Sequence, residues 1–176
     1  MKSCCFTGHR PKFFPWGNDT NDIRAKRLVS ALEEEIKIAA EDGYDRFLWG
    51  GALGVDTWAA KCVLKLKTQY PDITLTAVLP YKGYNEFVTD DDYVNALENS
   101  DETIFAGNFK SMRMLAVRDR YMVDNSSRII VVYDERSNVK SGTYRALMYA
   151  KEKKIEVRQI KWMDLCTNTA KKYNSH

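Results

Sequence analysis

Between Arg46 and Asp56 the chain reads Arg-Phe-Leu-Trp-Gly-Gly-Ala-Leu-Gly-Val-Asp. An apolar run of strand character climbs into three glycines, and the apolar stripe of a helix follows at Trp58, Ala59, Cys62, Val63 and Leu66. Strand, tight turn and helix N-terminus in that order form the building block of an α/β protein. The block recurs along the chain. Ser3 to Phe6, Ile73 to Leu79, Glu102 to Ala106, Arg128 to Tyr133 and Ile155 to Ile160 read as further strands. Between them lie stretches of helical period, such as Leu28, Leu32 and Ile36, which Gly43 ends. Short apolar strands alternating with helices predict a Rossmann-like α/β domain. The sheet is expected to be mainly parallel with helices on both faces.

The length of 176 residues suits one such domain, and no repeat, low-complexity stretch or linker divides it. Residues 166–176 are expected to fray. Residues 12–20 read as an extended loop, Asp90 to Asp92 as a solvated acidic loop, and Tyr93 to Glu98 as a short helix. A net charge of +3 is too small to imply nucleic-acid binding by itself. Cys4, Cys5, Cys62 and Cys166 follow no zinc or redox spacing and read as free thiols. No apolar run approaches the roughly 18 residues of a membrane helix. The start lacks a signal-peptide layout, so a cytoplasmic protein without a membrane partner is expected.

In parallel sheets ligands gather at the carboxyl ends of strands. Three loops leave such ends with suitable residues. Thr7, Gly8, His9 and Arg10 follow the first strand; hydroxyl, amide and guanidinium groups there suit phosphate oxygens. His9 reads either as acid, base or donor, or as a loop residue held locally. Gly50, Gly51 and Gly54 allow close backbone approach to an anion, or simply make the turn. Their spacing is neither the dinucleotide nor the Walker pattern. Asp56 caps the helix, holds a neighbouring loop or meets a ribose hydroxyl. Ser141, Gly142 and Thr143 read as an anion-binding turn or an ordinary cap. Arg118, Asp119 and Arg120 read as a surface ion-pair group or as ligand contacts. Tyr81, Tyr84, Phe87 and Tyr93 suit stacking on a base, a lid or a homodimer contact. With His9 and His176 the sole histidines, a histidine-rich metal site is excluded, and no metal is expected.

Taken together, Phe6 to Pro11, Gly50 to Ala60, Arg118 to Asp124 and Ser141 to Thr143 resemble the SLOG superfamily, which joins the DprA/Smf and LOG proteins. The resemblance is greatest to its YpsA-like subfamily and covers nearly the whole chain. It implies a Rossmann-like fold and a pocket for a nucleotide or an ADP-ribose-like ligand. The family positions carried over are Thr7, Gly8, Arg10, Gly50, Gly54, Asp56, Gly142 and Thr143, with Arg120 and Asp124 as weaker candidates. LOG-type phosphoribohydrolases have a glutamate three positions after the corresponding threonine, and here that position is Ala146. The expected function is therefore nucleotide binding of a sensor type, with phosphates over the glycine loops. Two alternatives remain. A nucleotide-cleaving hydrolase would need Asp56, Asp124 or Glu86 as its carboxylate. A single-stranded DNA-binding protein related to DprA is disfavoured by the modest charge.

Overall fold

The computed structural model describes residues 1–167. Six strands, β1 (Ser3–Gly8), β2 (Arg46–Trp49), β3 (Thr74–Leu79), β4 (Glu102–Phe105), β5 (Arg128–Val132) and β6 (Glu156–Ile160), form one sheet in the order β4-β3-β2-β1-β5-β6. All five strand pairings are parallel. The chain winds outward from β1 in one direction through β2, β3 and β4. It then returns to the other side of β1 with β5 and β6, so the order reverses between β1 and β5. This is the doubly wound Rossmann-like arrangement expected from the sequence.

Among the described residues six α-helices cover the two faces: α1 (Ile23–Glu41), α2 (Val55–Leu66), α3 (Asp91–Glu98), α4 (Arg113–Asp124), α5 (Gly142–Glu152) and α6 (Trp162–Cys166). Strand alternation divides the apolar side chains between two cores. Cys4, Phe6, Phe47 and Trp49 pack under α1, α2, α3 and α6. Cys5, Leu48, Val131 and Ile129 pack under α4 and α5. A strand buried on both faces is apolar throughout, which is why β1 and β5 carry nearly unbroken runs of buried residues. Cys4, Cys5 and Cys62 are free thiols inside these cores. Burial pushes the Cys62 thiol up to about 12, where it is inert.

Several local expectations change. The helical period of the sequence also allows Ile23 a place in the stripe of α1, but the buried stripe is Ala25, Leu28, Leu32, Ile36 and Ala39, and Ile23 is exposed. Asp90 is the N-cap of α3 and accepts a hydrogen bond from Tyr93 N at 2.9 Å. Asp91 and Asp92 form the first turn, where negative charge meets the positive end of the helix dipole. The acidic run is thus a helix start and not a loop. Phe14 and Trp16, within the expected extended loop, are buried against each other with ring centroids 4.7 Å apart. Trp162 caps that pair edge-on and begins α6, a five-residue helix that the sequence reading did not include. Cys166 ends α6 instead of starting a frayed tail, and the rest of the expected tail, 168–176, lies outside the described residues. No helix among the described residues is long and apolar enough to cross a membrane.

Candidate functional site

A crevice of about 990 Å³ opens beyond the C-terminal end of β1, between that strand's loop and helices α4 and α5. It lies at the place where strand order reverses, where the loops after β1 and β5 diverge to opposite faces. Thr7, Gly8, His9 and Arg10 line it from one side, and Ser141, Gly142 and Thr143 from the other. Asp56, Arg118 and Asp119 complete its inner wall, and Arg120 its rim. The first and third of the predicted loops therefore come together.

The second loop does something else. Gly50, Gly51 and Gly54 are absent from the crevice lining. Gly54 has φ of 88°, and a Cβ there would lie 2.7 Å from the His9 carbonyl oxygen. A Cβ on Gly50 would lie 2.7 Å from both Arg118 Nη1 and Asp56 Oδ2. These glycines admit protein atoms closely. The N-terminus of α2 packs against the β1 loop through one amide, and side-chain bonds tie the turn before it. Val55 N donates to His9 O at 3.4 Å, Gly50 N donates to the Asp56 carboxylate at 3.1 Å, and Thr57 Oγ1 donates to Ala52 O at 2.8 Å. The loop packs on itself and on the β1 loop, and it reaches the crevice lining through Ala52, with Asp56 just beyond it in α2.

The open helix end is that of α5. Its N-cap, Ser141, makes no side-chain capping bond, and the first intrahelical bond runs from Arg145 N to Ser141 O at 3.2 Å. The amides of Gly142, Thr143 and Tyr144 precede that bond, so they form an uncapped set of donors beside the crevice. Ser141 Oγ lies 3.5 Å from His9 Nδ1. The His9 ring is buried among Phe13, Phe14 and Tyr133, and burial lowers its pKa below the ordinary imidazole value. It is neutral at pH 7, and its buried Nε2 has no partner among the described residues.

Arg118 is a crevice residue whose placement differs from the surface ion pair the sequence offered. It is buried, not on the surface. Its Nε donates to Asp119 at 2.8 Å and its Nη1 donates to the Gly50 carbonyl. Burial opposes its charge, yet Asp119 and Asp56 hold its pKa above the usual arginine value. The signal was available: Met114, Arg118 and Met122 recur at four-residue steps and all three are buried. Asp56 faces this arginine in the same desolvated spot. Burial raises its pKa to about 6 against the opposing pull of Arg118.

The other candidates lie outside this centre. Arg120 is exposed, with its guanidinium 5.5 Å from the centre of the Tyr149 ring. Asp124 accepts from Tyr149 Oη at 2.9 Å, pairs with Lys153 and does not line the crevice. Glu86 stands on a second, smaller crevice of about 410 Å³, lined also by Arg10, Tyr81, Tyr84 and Phe87. Tyr93 is a core residue packed edge-on to Trp49 at 5.7 Å. Ala146 lines the larger crevice, so no carboxylate enters it from that turn of α5. Among the described residues no group of three or more His, Cys, Asp or Glu is placed to hold a metal ion.

A doubly wound parallel sheet, with a crevice of mixed polar and apolar lining at its switch point and an uncapped helix end beside it, defines an α/β protein of the Rossmann-like class. Residues 4–165 match the YspA SLOG family, and the chain belongs to that family. It is 28% identical over 163 residues to a UPF0398 protein of Bacillus thuringiensis (strain Al Hakam), covering 89% of this chain and 86% of the relative. A UPF0398 protein of Bacillus cereus (strain B4264) is 27% identical over the same shares of the two chains.

Proposed function

We propose that this protein binds a nucleotide or nucleotide derivative in the larger crevice and works as a cytoplasmic sensor or regulatory protein. The observation that carries the reading is the uncapped N-terminus of α5, with its free amides beside the crevice that Arg10 and Arg118 also line. Backbone amides at a helix N-terminus and a nearby guanidinium are the donors that a phosphate group satisfies. A volume of about 990 Å³ accommodates a ligand of nucleotide size. Asp56 and Asp119 balance the buried Arg118, and Arg10, Arg120, Arg145 and Lys151 are the further cationic side chains of the crevice lining that can meet an anion. Isothermal titration against nucleoside mono- and diphosphates and ADP-ribose checks the reading, and micromolar to submillimolar binding is expected. Absence of binding by every phosphate compound at millimolar concentration would sink it.

A second reading, cleavage of a nucleotide, is favoured by Asp56 alone. A carboxyl group on the crevice wall with a pKa of about 6 is poised to exchange a proton near neutrality. Release of base or ribose phosphate that disappears in Asp56→Asn supports it; binding without turnover in the wild type rejects it.

A further inference from the structure

The larger crevice does not end the polar surface that follows β1. Arg10 and Met112 line both it and the smaller crevice, so the two are continuous through these two side chains. The smaller crevice has a different character. Tyr81 and Tyr84 meet edge-on at 5.5 Å and form one wall. Tyr84 is buried, and its hydroxyl accepts from Arg10 Nη2 at 3.1 Å. Phe87 and Met112 also line it, with 87% and 71% of their surface exposed, and neither belongs to an apolar core. Glu86 and Lys110 supply an acceptor and a donor on the rim.

The loop carrying these residues is fixed from behind. Asn85 adopts φ of 55°, uncommon for a residue with a side chain, and donates from Nδ2 to Gly51 O at 2.9 Å. The glycine loop of β2 thus anchors the aromatic wall, just as it anchors Asp56 and Arg118. Backbone held in a sparsely populated region by a specific contact is a mark of a preorganised site. A flat ring with apolar faces and polar edges is the chemistry this wall fits.

Resting on the nucleotide reading above, we propose that the smaller crevice is the base-holding subsite of the same ligand. Phosphate sits at the N-terminus of α5, Arg10 lies at the junction, and an aromatic base lies between the Tyr81–Tyr84 wall and Phe87. The ligand is then a base-bearing nucleotide and not a sugar phosphate.

Titration of the full chain with ADP, ribose 5-phosphate and inorganic pyrophosphate tests this. ADP is expected to bind at least about tenfold more tightly than the two compounds without a base. Phe87→Ala and Tyr81→Ala should each weaken ADP by roughly three- to tenfold and leave pyrophosphate unchanged. Phe87 is exposed, so its removal does not endanger the fold, and thermal unfolding of each variant confirms that. Equal affinity for ADP and pyrophosphate, with both variants silent, overturns the base subsite and leaves the phosphate site standing. Failure of all three compounds and of the wider nucleotide panel overturns both readings.

Discussion

Asp56 and Arg118 set the chemistry of the inner wall, and each is there at a cost. A carboxyl group this deeply buried is destabilised when ionised, and its neighbours recover part of that loss. Its pKa rises from 3.8 to about 6, so the folded protein holds this proton more tightly than the unfolded chain does. The resulting stabilisation is fully present below pH 3.8 and is lost as pH rises through about 6. A shift of this size corresponds to on the order of 2–3 kcal/mol. Asn at this position is nearly isosteric and does not titrate. The stability of the wild type relative to Asp56→Asn is therefore expected to fall by about 2–3 kcal/mol between about pH 4 and pH 7. Urea unfolding of both proteins across that range measures it, and a difference independent of pH refutes the assignment. His9 works with the opposite sign, since its lowered pKa makes acid destabilising, but it is present in both proteins and cancels.

At the scale of elements, two helix N-termini share one design, neither having a side-chain cap, and differ in their surroundings. That of α2 is packed against the β1 loop, and that of α5 is open. Substituting a glycine at each separates the two. Gly54→Ala places a methyl group 2.7 Å from His9 O and 2.9 Å from Pro11 Cδ, in a backbone conformation that L-residues avoid. It is expected to cost about 2–4 kcal/mol, read as a fall in thermal midpoint. At Gly142 a Cβ meets nothing closer than Asp119 Oδ2 at 3.8 Å. Gly142→Ala should leave stability within about 0.5 kcal/mol and weaken phosphate binding, because its methyl group stands beside the open amides. The reverse pattern would return the anion site to the β2 loop. These two glycines also show what the sequence could and could not reveal. The order of strands and helices was legible because short unbroken apolar runs and a period of 3.6 are local properties. The meeting of the β1 and α5 loops was inferable from the parallel-sheet rule. Which glycine faces ligand was not, since a glycine that admits a phosphate and one that admits a neighbouring carbonyl look alike in sequence. Arg118 was legible from its spacing with Met114 and Met122, but its charge argued for the surface. The five residues of α6 are too few to show a helical period, and they are held by contacts distant in sequence.

Those distant contacts decide the behaviour of the whole molecule. The fold opens its crevice by sending the loops after β1 and β5 apart, and something must hold the diverging loops in place. α6 does so from behind. Trp162 packs edge-on against Phe14 at 5.3 Å and Trp16 at 5.9 Å, both in the segment that follows β1. Met163 N donates to Asp134 Oδ2 at 3.3 Å, and Arg136 bridges Asp134 and Asp164, both contacts securing the segment after β5. Arg27 Nη1 donates to Leu165 O at 3.1 Å and ties the same helix to α1. Phe14 in turn touches His9, 6.0 Å between ring centroids, so the brace reaches the crevice wall. Trp162→Ala is accordingly expected to cost about 3–5 kcal/mol and to weaken nucleotide binding as well, because the His9 loop loses its backing. The indole nitrogen of Trp162 is buried without a partner among the described residues, so the ring and not the N–H makes the contribution. Trp162→Phe should therefore recover most of both losses. Chemical denaturation and ADP titration of the two variants provide the check. A Trp162→Ala protein that loses stability but binds ADP like the wild type would show that α6 braces the core alone and leaves the crevice to shape itself.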